Sequence, residues 1–203
     1  MLARVTDVTV PHRVGVLGGT FDPIHLGHLA AASEVAEVLS LDVVLLVPTA
    51  AHSLKGAPLA SAEHRLAMCH LAADDDARLG VSDVDIVRGG VTYTVDTLTD
   101  LATTYPGAEL TFITGADSLA TLPQWKSPER LTELARFVGV TRPGHALPHM
   151  PDGTLVVEVP SVAVSSTEVR RRVKAGAPIR YLVPDSVVAY IDRFSLYLGG
   201  INE

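Results

Sequence analysis

The sequence predicts an α/β protein with a doubly wound, mainly parallel sheet and helices on both faces. Two patterns predict it: short β-branched runs alternate with helical patterns along the 203 residues, as in βαβ chains. Several runs are apolar almost throughout, as parallel strands buried on both faces are. A third observation agrees. The strings that carry chemistry fall just after strands or at helix starts, where open α/β sheets bind ligands.

The elements follow in chain order. Arg13–Leu17 reads as the first strand and His28–Leu39 as the first helix. Val43–Val47 is wholly apolar and reads as a buried strand, followed by a helical pattern over Ala62–Ala73. Leu79–Ile86, with Val81, Val84 and Ile86, is predicted as a strand, and Thr94–Thr104 as a helix. Leu110–Thr114, Phe137–Thr141 and Leu155–Val159 supply further strands, with a helix over Pro128–Ala135 between the first two. Three prolines and two glycines mark Thr141–Gly153 as a loop. Helices over Ser166–Lys174 and Asp185–Arg193 close the chain. Connections in such sheets are right-handed.

Composition bounds the function. A domain usually has roughly 100–200 residues, so residues 1–203 are read as a single domain with a helical segment over about 160–203. Apolar residues are 47% and charged residues 19% of the chain, which excludes a disordered polymer. The net charge of −7 argues against nucleic acid or a membrane surface as partner. It leaves room for an anionic ligand held by a local cluster. The single Cys69 excludes an internal disulfide framework. No apolar run reaches the roughly 20 residues of a bilayer span, and Met1–Val14 lacks the apolar core of a signal peptide. A soluble cytoplasmic protein is expected. The acidic run Asp74–Asp76 reads as a solvated turn.

The densest string is Gly18-Gly19-Thr20-Phe21-Asp22-Pro23-Ile24-His25-Leu26-Gly27-His28. Gly18 and Gly19 remove side chains where the backbone leaves the sheet, so a phosphate or base can approach closely. No Gly-Lys-Ser/Thr follows, and the spacing is not Gly-x-Gly-x-x-Gly, which removes the P-loop and dinucleotide readings. If His28 opens the helix, both histidines face whatever sits at the positive end of its dipole. They can donate to phosphoryl oxygens, or merely cap the helix. A metal reading needs a third ligand, such as Asp22 or Asp117, which the spacing does not supply.

The string resembles the Gly-Gly-x-Phe-x-Pro-x-His-x-Gly-His signature of nucleotidylyltransferases, which include the nicotinate-nucleotide adenylyltransferases. The resemblance implies a Rossmann-like nucleotidylyltransferase fold. It also implies an ATP site built from Gly18, Gly19, Thr20, Phe21, His25 and His28.

A second string, Val164-Ser165-Ser166-Thr167-Glu168-Val169-Arg170-Arg171-Arg172, lies near the C-terminal end of the chain. Ser165 and Glu168 have capping-box spacing. Three arginines in the first two helical turns oppose the dipole, so an anion is expected to compensate some of them. A capped helix with a solvated basic face is the alternative. The string is similar to the family's Ile-Ser-Ser-Thr-x-Ile-Arg motif. That similarity implies that Ser165, Ser166, Thr167 and Arg170 hold the β,γ-phosphates of ATP, with Val164 and Val169 in place of the isoleucines.

Further segments carry the acceptor side. A carboxylate at Asp117, in Gly115-Ala116-Asp117-Ser118-Leu119, suits a ribose hydroxyl, and Trp125 could stack on a flat ring or simply fill the core. These residues resemble the nicotinate-nucleotide adenylyltransferases. The likeness puts Gly115 and Asp117 on the nucleotide and Trp125 on the pyridine ring. Thr92-Tyr93-Thr94 extends it, placing Tyr93 and Thr94 beside the mononucleotide, with Thr20, Lys55 and Arg142 completing that subsite. An N-capped helix with a buried tyrosine would explain Thr92–Thr94 equally well. One departure stands out: Ala51-His52-Ser53-Leu54-Lys55 has Leu54 where the family has a histidine, while Lys55 keeps the basic position.

The resemblance implies transfer of the adenylyl group of ATP to nicotinate mononucleotide in NAD biosynthesis. The products are nicotinate adenine dinucleotide and pyrophosphate. The alternative acceptors are nicotinamide mononucleotide, phosphopantetheine and glycerol phosphate. His25, His28, Lys55 and Arg170 are the expected catalytic residues, acting by positioning and charge. Mg²⁺ is expected on the ATP phosphates, largely hydrated, with no dedicated protein metal site. A homodimer or higher homo-oligomer is left open.

Overall fold

The computed structural model describes residues 11–52, 57–144, 147–160 and 162–199. Six strands form one sheet: β1 (Arg13–Gly19), β2 (Val43–Pro48), β4 (Leu79–Val81), β6 (Glu109–Gly115), β7 (Arg136–Thr141) and β8 (Leu155–Glu158). Their order is β4-β2-β1-β6-β7-β8, and every pairing is parallel. The sheet is therefore wound outward in two directions from β1, and the strand order reverses between β1 and β6. That is where a crevice opens at the carboxyl ends. A two-residue pair, β3 (Ala51–His52) with β5 (Val91–Thr92), stands apart as a second sheet. Nothing in its composition announced it.

Strand periodicity explains the two-sided core. In β2, Val44 and Leu46 face one apolar cluster, and Leu45 and Val47 face the other. The first cluster takes its helical side chains from α1 (Leu26–Val38), α2 (Ala62–Ala73), α7 (Ser166–Lys174) and α8 (Asp185–Arg193). The second takes them from α4 (Thr94–Thr104) and α6 (Pro128–Leu134), with Leu119 and Leu122 from the short turns between them. An all-apolar run such as Val43–Val47 needs this arrangement, because each successive side chain points to the opposite face.

Two sequence expectations need correcting. The strand predicted over Leu79–Ile86 ends at Val81, and Val84–Arg88 forms a short helix, α3. The reason is Asp85, which is 2% exposed. Its carboxylate accepts from Thr97 Oγ1 at 2.7 Å and pairs with Arg88. An i,i+3 pair requires helical geometry, and β-branched Val87 is left 75% exposed. The first helix also starts earlier than expected. Its first residue is Leu26, with His25 at the N-cap and His28 inside the first turn rather than opening it. A short helix, α5 (Ala116–Leu119), was not anticipated from the sequence.

Candidate active site

A cleft of about 930 Å³ opens at the carboxyl ends of β1 and β6. From β1 come Gly18 and Gly19, followed by Thr20 and Phe21. Gly19 is required there by packing: a Cβ would lie 2.9 Å from the Phe21 ring. Phe21 itself is buried with a left-handed φ of 49°. From β6 and the start of α5 come Gly115 and the exposed Asp117. Nothing lies within 4 Å of a Cβ built on Gly115, so this wall of the cleft is open.

His25 and His28 form the floor at the N-terminus of α1. Their rings stack 3.6 Å apart at 14°. The His28 Nδ1 accepts the His25 backbone N–H at 3.3 Å, and the Phe21 ring meets His28 edge-on at 5.0 Å. A neutral His28 accepting at Nδ1 carries its proton on Nε2. His25 is only 7% exposed, and its Nδ1 is buried without a hydrogen-bond partner. Burial, helped by the Arg142 charge, lowers its pKa to about 4, so the ring is neutral at pH 7. Gly27 makes the stack possible, since a Cβ would sit 3.2 Å from both the His25 ring and Val164 Cγ1.

The N-terminus of α7 faces this floor. Ser165 caps it by accepting the Glu168 N–H at 3.2 Å. Ser166 Oγ donates to the Pro23 carbonyl at 2.8 Å, and Arg170 Nη1 donates to the Asp22 carbonyl at 2.7 Å. These bonds join the two sequence strings across 143 and 148 residues. Ser165, Ser166, Thr167 and Arg170 all line the cleft. The other two arginines do not. Glu168 pairs with Arg171 and Arg172 at 2.7 and 2.8 Å, so one carboxylate in the chain answers two of the three opposed charges. Of the three arginines, Arg170 alone lines the cleft.

Arg142, after β7, lines the cleft as well. Thr20, expected on the acceptor side too, also lines the cleft, whereas Tyr93, Thr94 and Trp125 do not. Trp125 packs edge-on against Phe112 and Phe137, with centroids at 6.0 and 6.2 Å, and its Nε1 donates to Thr121 Oγ1 at 3.0 Å. Tyr93 is 38% exposed rather than buried. Lys126 Nζ sits 4.4 Å over its ring and 3.0 Å from Asp96. Thr94 is the first residue of α4. Lys55 lies outside the described residues.

Two residues of the site, Arg65 and Tyr197, escaped sequence reasoning, and Asp22 was weighed there only as a metal ligand. Asp22, 5% exposed, accepts the Leu59 and Ala60 N–H groups at 2.8 and 3.1 Å and the Tyr197 hydroxyl at 2.8 Å. Arg65, 1% exposed, donates to the carbonyls of Thr20, Ala50 and Ala60 at 2.8, 3.2 and 3.3 Å. A lone arginine among the apolar residues of Ala62–Ala73 was the only signal for this clamp, and Tyr197 gave none. Asp22 is thus committed to the protein. Among the described residues no group of three or more His, Cys, Asp or Glu is placed to hold a metal ion.

Comparison with known proteins decides the family. The cytidylyltransferase-like family profile matches residues 16–172. A "Probable nicotinate-nucleotide adenylyltransferase" of Mycobacterium bovis is 49% identical over 199 residues, covering 93% of each chain. One of Corynebacterium kroppenstedtii is 52% identical over 192 residues, covering 92% of this chain and 91% of its own. The chain belongs to the nicotinate-nucleotide adenylyltransferase family. The nicotinic acid mononucleotide adenylyltransferase of Plasmodium falciparum, solved with NaAD, shares the fold. It has a TM-score of 0.76 at 18% identity and covers 94% of this chain and 99% of that one. The Rossmann-like fold expected for nucleotidylyltransferases is therefore the observed one. Among the described residues no helix is long and apolar enough to cross a membrane.

Proposed function

We propose that the cleft transfers the adenylyl group of ATP to nicotinate mononucleotide. A phosphate oxygen of the mononucleotide attacks the α-phosphorus of ATP. The bond from that phosphorus to the bridging oxygen breaks, and pyrophosphate leaves with the electron pair. The nucleophile is largely ionised at pH 7, so the site needs no general base. The observation that carries the reading is the meeting of the two histidines with the N-terminus of α7 across one cleft, tied by Ser166 and Arg170.

In this reading His28 Nε2–H donates to the α-phosphoryl group, and neutral His25 supports it from beneath. Gly18, Gly19, Thr20 and Phe21 hold the nucleotide by backbone and shape, with Gly115 and Asp117 at the ribose. Ser165, Ser166, Thr167 and Arg170 take the β,γ-phosphates at the positive end of the α7 dipole. Arg142 meets the acceptor phosphate together with Lys55. Tyr93, Thr94 and Trp125 form the pyridine subsite. Mg²⁺ would be carried by the ATP phosphates rather than by a dedicated protein site. There it would supply charge neutralisation on the phosphates. The donor set suits that: hydroxyls, amides, imidazoles and guanidinium groups reach for phosphate oxygens, while the Asp22 carboxylate is already taken.

Pyrophosphate release from Mg-ATP tests the reading. Nicotinate mononucleotide, nicotinamide mononucleotide, phosphopantetheine and glycerol phosphate are supplied in parallel. Release should be fastest with the first. Faster release with any other would assign the acceptor differently, and none with any would leave only a nucleotide-binding protein.

A further inference from the structure

The C-terminal turn after α8 is strained. Ser195 and Tyr197 have left-handed φ values of 52° and 67°, which side chains with a Cβ rarely adopt. Such strain persists only where surrounding contacts over-determine it. The contact here is the Tyr197 hydroxyl on Asp22 Oδ1, 175 residues away in sequence and 2.8 Å away in space. Burial and the Asp22 charge push the Tyr197 pKa well above its ordinary range, so the hydroxyl is a permanent donor.

Asp22 distributes this contact to the cleft in two directions. Its carboxylate holds the Leu59 and Ala60 amides, and Leu59 belongs to the 57–59 wall of the cleft. Its carbonyl receives Arg170 Nη1 at 2.7 Å, leaving Arg170 Nη2 with Thr167 Oγ1 at 3.3 Å. Arg65 locks the opposite side by holding Ala60 and Thr20 through their carbonyls.

We propose that Tyr197 is a positioning residue of adenylyl transfer. Its hydroxyl fixes the Asp22 carboxylate, which sets the 57–59 wall and aims Arg170 at the triphosphate. The inference rests on the adenylyl-transfer reading above and adds a C-terminal residue that touches no substrate.

Tyr197→Phe removes one oxygen and should raise the KM for ATP five- to tenfold, with the KM for the mononucleotide within twofold. Calorimetry with Mg-ATP alone should show the same loss of affinity. Tyr190→Phe is the control. Tyr190 also lies near the C-terminus, and its hydroxyl meets His64 Nδ1 at 3.0 Å. It should change thermal stability but neither ATP constant. The positioning role is overturned if Tyr197→Phe binds ATP like the parent, or if Tyr190→Phe reproduces its effect. Coupling is reciprocal, so Mg-ATP should also slow hydrogen exchange at the Leu59 and Ala60 amides of the unaltered protein. Unchanged exchange there overturns the proposal without any variant, including one that fails to fold. Failure of the adenylyl-transfer reading shows separately, as absent pyrophosphate release in the parent protein.

Discussion

The His25 and His28 rings lie 3.6 Å apart and 14° from parallel, with the His28 Nδ1 on the His25 backbone N–H. Stacking at that distance disfavours two imidazolium charges, and burial already holds His25 neutral. The pair forms the floor of a cleft whose cations, Arg142 and Arg170, stand at its walls.

His25 should titrate near pH 4 in the free protein, read from its ring carbon shift by NMR. The sign for stability follows. The folded pKa lies below the unfolded value of about 6.5, so neutral His25 favours folding above pH 6.5. Stability is lost as pH falls from there to about 4, by up to about 3 kcal/mol. A His25→Asn variant should lose that part of the pH dependence. A measured midpoint near 6.5 would contradict the buried, neutral ring.

His28→Ala should cut kcat by roughly 100- to 1,000-fold, as loss of one transition-state donor does. The affinity for Mg-ATP, measured by calorimetry, should stay within about threefold if His28 acts mainly on the transition state. Lost ATP binding with normal residual turnover would move His28 from chemistry to ground-state binding.

Arg170→Lys keeps the charge but not the fork that reaches both the Asp22 carbonyl and Thr167. The KM for ATP should rise by about tenfold, with Arg171→Lys as a control that changes it little, since Arg171 is tied to Glu168. Equal effects of the two variants would place Arg170 outside the phosphate site.

Arg88→Met should destabilise the fold by about 3 kcal/mol, because it leaves the buried Asp85 carboxylate with Thr97 as its remaining side-chain donor. Burial already raises the Asp85 pKa despite Arg88. The loss should therefore be smaller in the double variant Asp85→Asn/Arg88→Met. Chemical denaturation of the two variants measures the difference, and equal losses would refute the pairing.

Much of the fold and half of the site were legible in residue order. Period-two burial forces strands such as Val43–Val47 between two helical layers, and helix–strand alternation implies parallel pairing. The Gly18–His28 and Val164–Arg172 strings announced a phosphate cleft because glycines, capping hydroxyls and an arginine are local devices, readable at fixed spacing. What needed the tertiary structure was every pairing that depends on distant chain segments. Asp85 turned a β-branched run into a helix through Thr97. Glu168 took Arg171 and Arg172 out of the cleft and left Arg170 in it. Asp22, Arg65 and Tyr197 met only on folding, across separations of up to 175 residues. Sequence by itself determined which chemistry is present. Tertiary structure decided which charges are free to use it, because a buried charge is set by its neighbours in space rather than in order.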